Sequence, residues 1–421
     1  MDIAIAGAGI GGLTAALSLH ANGLRQVTVF EAAREIRQVG VGLNLPPHAV
    51  RELVELGLGE QLEQAGVRTA ELAYYDPAGK LIWAEPRGID AGYRWPQYSI
   101  HRGKLQDMLA QAVRERLGQN AIRTGTRLAT ATNIAASNRV LLTGEDLQAN
   151  AGMRFEADLV IVADGIRSAL RDHLAGQVTP LATNGWVMYR GSTRAAPFLS
   201  GHSMVIVGDE HQRIVVYPIG DGMQNWLLVR PRDASTQVTE LGNWNLEVSP
   251  RKLAEGLGDW RFAWLDIQQL VADAPIAWEY PMADIDPLPR WIYGHCALLG
   301  DAAHAMYPFG SNGASQAIID ARVLAHALAT ESGIDAALQS YDRQRRLATA
   351  QVQTANRHQA GDVMAKVSSL ARRAAHADAA TELLEVERRY KQLAGFDVDT
   401  LNQRASWSVP PGAAPASSAP D

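Results

Sequence analysis

The chain has 421 residues, 47% of them hydrophobic, and a formal net charge of −6, so it can build two domains or one large elaborated one with ample core. That charge, with a pI near 6.0, leaves no basic field for nucleic acid or an anionic membrane, and no segment reaches the roughly 18 apolar residues of a membrane span. A single cysteine, Cys296, excludes an intramolecular disulfide and a cysteine-rich metal site; no metal is expected, and a reducing, cytoplasmic location is the default expectation.

The first predicted elements are a strand from Asp2 to Ala6, the run Gly7-Ala8-Gly9-Ile10-Gly11-Gly12, and a helix from Leu13 to Ala21. Strand, then G-x-G-x-x-G, then helix is the dinucleotide-binding order. Gly7 permits the tight turn, Gly9 lets backbone approach a pyrophosphate, and Gly12 allows helix and strand to pack closely. A second strand, Val27 to Phe30, ends at Glu31, placed about 20 residues on, where the motif puts an acceptor for a ribose hydroxyl. A nucleotide cofactor follows. Helical patterns come next at Val50 to Gly57 and, just behind Arg102, at Gly103 to Leu117.

Further along, Leu159 to Ala163 reads as a buried strand running into Asp164-Gly165, with Ser168 and Arg171 beyond. Residues from about Leu72 to Tyr98 and from about Leu181 to Glu279 alternate like strands and carry aromatics, as in Trp186-Val-Met-Tyr189, Arg213-Ile-Val-Val-Tyr217-Pro and Trp226-Leu-Leu-Val229, which predicts a second, sheet-rich domain. Ala297-Leu-Leu-Gly300-Asp301-Ala-Ala-His304 is another buried strand and turn, followed by Pro308, Gly310, Asn312 and Gly313 and a helix from about Ala314. Asp164 and Asp301 each stand at the carboxyl end of a strand, where ligands sit in open α/β sheets; taken alone, either could be a helix cap. His304 reads as a packing residue under the loop. Ile334 to Ala394 keeps a helical pattern, the stretch from Val409 onward is low in complexity, and no internal repeat is present.

These three motifs, in this order, resemble those of the flavoprotein aromatic monooxygenases that carry one FAD-binding domain. The resemblance implies an α/β fold: a Rossmann-like FAD-binding domain of the para-hydroxybenzoate hydroxylase type, interleaved with a sheet-rich substrate domain and followed by a helical C-terminal segment. The expected domains are 1–71, 99–180 and 280–330 for FAD, 72–98 and 181–279 for substrate, 331–405 for the C-terminal helices, and 406–421 as a disordered tail. Trp83-Ala-Glu-Pro-Arg-Gly88, Pro96-Gln-Tyr-Ser-Ile-His101-Arg102-Gly103 and Tyr307-Pro-Phe-Gly-Ser-Asn-Gly-Ala-Ser-Gln316 look like the phenazine-modifying branch, whose best-known member converts 5-methylphenazine-1-carboxylate to pyocyanin. The chain departs from that branch at Phe309 and Ser311, where Met and Ala are expected, and around Tyr93 to Trp95, positions expected near the substrate pocket.

The resemblance implies FAD as cofactor, NADH or NADPH as a transient co-substrate, and oxygen transfer from a flavin C4a-hydroperoxide to an aromatic or N-heteroaromatic carboxylic acid, with or without loss of the carboxylate. No second nucleotide fingerprint is seen, so no separate nicotinamide domain is expected. Gly7, Gly9, Gly12, Glu31, Arg102, Asp164, Asp301, Asn312, Gly313 and Ala314 are the candidate FAD residues. Pro308, Gly310 and Gly313 are the candidate catalytic loop, where backbone and helix-end N–H groups meet the flavin and exclude water. Arg190, Arg213, Tyr217 and Phe309 are the substrate candidates, and no general base is assigned. A salicylate-like or hydroxypyridine hydroxylase is the rival reading, and a non-catalytic flavin-binding protein the rival of another class. A halogenase is disfavoured because Gly258-Asp-Trp-Arg-Phe-Ala-Trp264 lacks its Trp-x-Trp-x-Ile-Pro signature. Expected partners are a small aromatic substrate, O2 and NAD(P)H, with neither nucleic acid nor membrane; monomer and homodimer stay open.

Overall fold

The structure is a computed structural model that describes residues 1–36, 41–209, 211–232, 246–373 and 378–410; the side chains of Pro281, Phe309, residues 358–384 and Val386 lie outside the description. The elements used below are, in chain order, strands β1 (Ile3–Ala6), β2 (Val27–Glu31), β3 (Gly42–Leu45), β4 (Leu159–Val162), β5 (Leu181–Arg194), β6 (Arg213–Pro218), β7 (Met223–Pro231), β8 (Ala277–Ile285) and β9 (Cys296–Leu298). The helices are α1 (Ile10–Ala21), α2 (Pro47–Glu55), α3 (Arg102–Leu117), α4 (Asp301–His304), α5 (Gly313–Thr330), α6 (Ile334–Arg373) and α7 (Asp378–Leu393).

A six-stranded sheet has the order Ile292–Tyr293, β9, β4, β1, β2, Ile122–Thr124. Its pairs are parallel except the outermost, Ile292–Tyr293 with β9. Every residue of β1, β4 and β9 is buried, as expected of parallel strands covered on both faces. β1 pairs with β2 on one side and β4 on the other, so the strand order reverses there and opens a crevice at the carboxyl ends. Helix α1 packs on α5 and α3; a Cβ on Gly11 would stand 2.8 Å from Leu299 Cδ2 and 3.2 Å from Ala317 Cβ, a close approach that only glycine permits.

An eight-stranded sheet has the order Leu246–Val248, β8, β5, β7, β6, Ser203–Gly208, Glu71–Tyr75, Leu81–Pro86. Its one parallel pair, Ser203–Gly208 with Glu71–Tyr75, is where the upstream segment joins the downstream one. Alternation assigns the faces. Val187, Tyr189, Ile214, Val216, Trp226 and Leu228 pack with Leu253, Ile267, Leu270 and Val271 of two short helices. On the other face Met188, Val229 and Met282 pack against Tyr307, the residue before Pro308, so this face looks toward the nucleotide sheet. β3 bridges the two bodies: the Gly42 N–H donates to Asn225 Oδ1 of β7 at 2.6 Å, and a Cβ there would lie 2.7 Å from the Tyr217 ring.

Several expectations need adjustment. α1 begins at Ile10 rather than Leu13, and α2 at Pro47 rather than Val50. A three-stranded meander, Thr126–Ile134, Arg139–Asp146 and Ala151–Ala157, stands where no strands were expected. The long C-terminal helical pattern divides into α6 and α7. Residues 406–409, assigned to a disordered tail, are held: Ser406 donates to Glu55 Oε2 at 2.7 Å, Arg322 donates to Ser408 at 2.8 Å, and the Val409 N–H donates to Asn22 Oδ1 at 3.2 Å. The rest of that tail, 411–421, lies outside the described residues. Among the described residues no helix is long and apolar enough to cross a membrane.

Candidate active site

At the end of β1 the chain turns through Gly7, whose φ of +99° belongs to glycine and where a Cβ would lie 2.4 Å from the Ala163 carbonyl oxygen. A Cβ on Gly12 would lie 2.0 Å from the Gly7 oxygen, whereas one on Gly9 would meet nothing within 4 Å. Gly9 caps α1 with no side-chain hydrogen bond, so the helix presents free N–H groups to an anion. Glu31, at the end of β2, accepts from the N–H of Ala8 at 2.9 Å and of Ala33 at 2.7 Å, which fixes its carboxylate beside that turn with acceptor capacity to spare.

The two Asp-bearing turns meet behind this crevice. Asp164 Oδ1 is buried without a hydrogen-bond partner; burial raises its pKa above the ordinary carboxyl value against the lowering by Ser168 and Arg171. Arg171 is buried and donates to the Ile166 carbonyl at 2.9 Å and the Ala302 carbonyl at 3.4 Å, tying the Asp164 turn to α4. Gly300 takes φ +62°, and its N–H donates to Asp320 Oδ2 at 3.1 Å. The same oxygen meets His304 Nε2 at 2.5 Å, Arg345 Nε donates to Asp320 Oδ1 at 2.7 Å, and Arg345 Nη2 donates to Gln316 Oε1 at 2.5 Å. Burial would raise the Asp320 pKa, but His304 and Arg345 hold it below the usual range. His304 is thus a structural anchor. Asp320 and Arg345 went unnoticed in the sequence, and Gln316 entered only as the end of the Tyr307–Gln316 run; the available signal was Gln316 and Asp320 four apart on one helix.

Asp301 opens α4 with its side chain exposed, and its Oδ1 lies 3.9 Å from where a Gly313 Cβ would stand. Helix α5 starts behind Asn312 with no side-chain cap. Pro308, Gly310 and Ala314 line the same loop and helix start, with Pro308 and Gly310 exposed. The open space at Gly9, the uncapped starts of α1 and α5, the exposed Asp301 and the orphaned Asp164 oxygen fit FAD as a cofactor. Arg102, first in α3 and exposed, donates its backbone N–H to Val41 at 3.0 Å and lies close enough for its charge to lower the Arg190 pKa.

On the facing sheet, Arg190 is surrounded by protein yet keeps part of its surface open. Its Nε contacts Met188 Sδ at 3.3 Å and its guanidinium lies 4.7 Å from the Tyr280 ring centre; among the described residues it makes no ion pair. Burial pushes its pKa down, while Tyr280 and Tyr217 oppose that shift. Tyr217 is buried and its hydroxyl is pushed up by burial, so it is a donor rather than a base. Arg213 shares this face but is buried beneath Trp186, 5.5 Å from the ring centre, with its pKa pushed down to about 10 by burial. The structure therefore brings Arg190 and Tyr217 together and sets Arg213 aside. Phe309 has its backbone in the turn Phe309–Ser311, but its side chain lies outside the described residues. Tyr93 and Trp95, expected near the pocket, pack in the cluster that holds Tyr390, Phe396 and Met306: the Tyr93 hydroxyl donates to the Phe396 carbonyl at 2.7 Å and Trp95 stacks under Arg51 at 5.0 Å. Tyr280 was missed; its register opposite Met188 was invisible without the sheet order.

A family described as an FAD binding domain matches residues 1–356. The chain is 44% identical over 364 residues to a phenazine 1,6-dicarboxylic acid hydroxylase of Lysobacter antibioticus, covering 85% of this chain and 89% of the relative. It is 32% identical over 386 residues to a salicylate hydroxylase of Pseudomonas putida, covering 84% of this chain and 83% of that one. In fold, a salicylate hydroxylase solved with its substrate superposes with a TM-score of 0.73 over 98% of this chain and 99% of that one, at 24% identity.

Proposed function

The chain belongs to the FAD-dependent aromatic hydroxylases that share this FAD binding domain, and from that premise we propose that it hydroxylates a planar nitrogen-containing aromatic carboxylic acid of the phenazine type. The observation that carries the proposal is Arg190: a cation deep in the protein, with no ion pair among the described residues, on the sheet face that looks toward the flavin loop. A buried cation is costly unless a partner neutralises it, and a substrate carboxylate is such a partner. The similarity to a phenazine 1,6-dicarboxylic acid hydroxylase supports a fused aromatic acid over a single ring.

When bound, FAD reduced by NADH or NADPH supplies activated oxygen from O2. The protein's part is placement. Arg190 holds the carboxylate, the Tyr280 face and Met188 support the guanidinium from behind, and Tyr217 offers a hydroxyl donor kept neutral by burial. The Pro308–Gly313 loop and the start of α5 direct N–H groups at the flavin and keep water out.

The test follows NADH and NADPH oxidation in air by the FAD-loaded protein with phenazine-1-carboxylate, phenazine-1,6-dicarboxylate and salicylate, with products identified by mass. The expected products of the phenazine acids gain one oxygen or exchange carboxylate for hydroxyl. Arg190→Met should raise KM about 10- to 100-fold, the range set by losing a charged hydrogen bond of about 1.5–3 kcal/mol. An unchanged KM would remove Arg190 from the site, and stimulation by salicylate alone would keep the reaction class and reject the phenazine substrate.

A further inference from the structure

A series of hydrogen bonds runs from the C-terminal helices into the proposed flavin loop. Asn356 on α6 donates its side-chain N–H to the Tyr307 carbonyl at 3.2 Å, and its Oδ1 accepts from the Tyr390 hydroxyl of α7 at 2.8 Å. The Tyr390 oxygen in turn accepts from Nδ2 of Asn312 at 2.5 Å. Asn356, Tyr390 and Asn312 are all buried. Between the two anchored ends lies Gly310, at φ +67°, where a Cβ would be 2.2 Å from the Tyr390 oxygen. Tyr390 thus holds the loop beside Gly310, whose positive φ suits glycine and whose missing side chain leaves room for the tyrosine hydroxyl.

The helix that carries Tyr390 is tied to the covering sheet as well. Lys391 Nζ pairs with Glu85 Oε2 at 3.1 Å on the Leu81–Pro86 strand, and the Phe396 carbonyl just beyond α7 accepts from Tyr93. Tyr390 lies 34 positions past Asn356, where the FAD binding domain match ends. The contact is therefore made by a part of this chain outside the segment that defines the family.

We propose that Tyr390 is a positioning residue for the flavin loop: through Asn312 and Asn356 it fixes how closely Pro308–Gly313 closes over the flavin, and so sets the share of activated oxygen that reaches substrate instead of leaving as hydrogen peroxide. This rests on the reading that the loop borders the flavin ring. A purely structural tyrosine would alter stability and leave that share unchanged, because the share depends on water exclusion at the ring.

Tyr390→Phe keeps the ring and removes the hydrogen bonds to Asn312 and Asn356; Asn356→Leu breaks the same series from the other end. With phenazine-1,6-dicarboxylate as probe, Tyr390→Phe should raise the peroxide released per NAD(P)H oxidised at least threefold, with KM within twofold of the parent. The double variant should be no worse than the poorer single one, as expected of groups acting in one series. A second readout needs no turnover: iodide quenching of bound FAD should at least double in Tyr390→Phe. An unchanged peroxide share and unchanged quenching in folded, FAD-loaded Tyr390→Phe would overturn the proposal, as would additive effects of the two substitutions. If the parent turns over none of the probes, the substrate reading fails by itself and the quenching experiment still decides for or against Tyr390.

Discussion

Two glycines three residues apart in one motif should fail in different ways. In Gly12→Ala the new methyl would sit 2.0 Å from the Gly7 oxygen and 3.3 Å from Ile5 Cγ2, so more than an ångström must be opened. Gly7 cannot retreat, because its own N–H is bonded to the Phe30 carbonyl at 2.7 Å and the Ala163 carbonyl closes its other side. Alanine would gain about 1 kcal/mol in helix propensity, but overpacking against fixed backbone costs about 1–3 kcal/mol and displaces the turn that receives the phosphates. Gly9→Ala is different: the site is open and its φ of −73° suits any residue, so the cofactor-free protein should lose no more than about 0.5 kcal/mol, the cost of alanine at a helix start. Its methyl would occupy the space where pyrophosphate approaches, and FAD affinity should fall at least tenfold, about 1.4 kcal/mol. Thermal unfolding of the FAD-free proteins and titration of FAD by flavin fluorescence separate the two. A Gly9→Ala protein that binds FAD like the parent, or that is destabilised as much as Gly12→Ala, would refute this reading of the crevice.

The anchor beneath the Gly300 turn should be equally measurable. Asp320→Asn leaves Arg345 without its buried counter-charge and weakens the hold on His304; breaking a buried pair this way costs about 3–5 kcal/mol, to be read from guanidinium unfolding, and a loss below about 1 kcal/mol would show the network to be dispensable. His48 should govern acid stability. Its ring is buried, stacked on Phe396 at 4.4 Å, and its pKa is pushed down to about 3 by burial and then by Arg404. Below pH 6.5 the unfolded chain takes up a proton that the folded protein refuses, so stability falls by about 1.4 kcal/mol per pH unit. A His48→Gln variant lacks this contribution, and between pH 6.5 and 5 its stability should decline by about 2 kcal/mol less than the parent's; parallel declines would mean that folded His48 takes the proton.

The nucleotide half of the fold was legible because its information is local. A buried four-residue strand, a glycine run and a helix lie within the first 21 positions, and each Asp-bearing turn sits directly behind its strand. Even so, α1 starts three residues early, since glycines at a helix start are tolerated where tight packing excludes any side chain, as at Gly11 and Gly12. What stayed hidden is long-range. No local pattern in Glu71–Tyr75 announces parallel pairing with Ser203–Gly208, and the meander beginning at Thr126–Ile134 reads as polar because it is half exposed. The support of the candidate site was hidden for the same reason: Asp320, Arg345, Asn356 and Tyr390 approach the loops from helices that follow them in the chain. Arg190 and Tyr217 could be named as strand residues, but only the order and register of the sheet, which set Trp186 against Arg213, separate them from Arg213.

That order also explains why Arg190 can stand on the Tyr307 side of the sheet, proposed to face the flavin, without a carboxylate to hold it there. On the opposite face the next residue, Gly191, is paired with Trp226, and a Cβ on Gly191 would lie 2.2 Å from the indole. The indole N–H donates to Thr193 Oγ1 at 3.1 Å, and that hydroxyl donates to the Leu270 carbonyl at 2.7 Å. A slip of one residue would drive a side chain into Trp226 and send every alternate residue of β5 to the other face. The register is therefore fixed from the apolar side by one glycine, one tryptophan and one threonine. The face that carries Arg190 inherits its geometry from that register, so the position of Arg190 does not depend on a carboxylate to hold it.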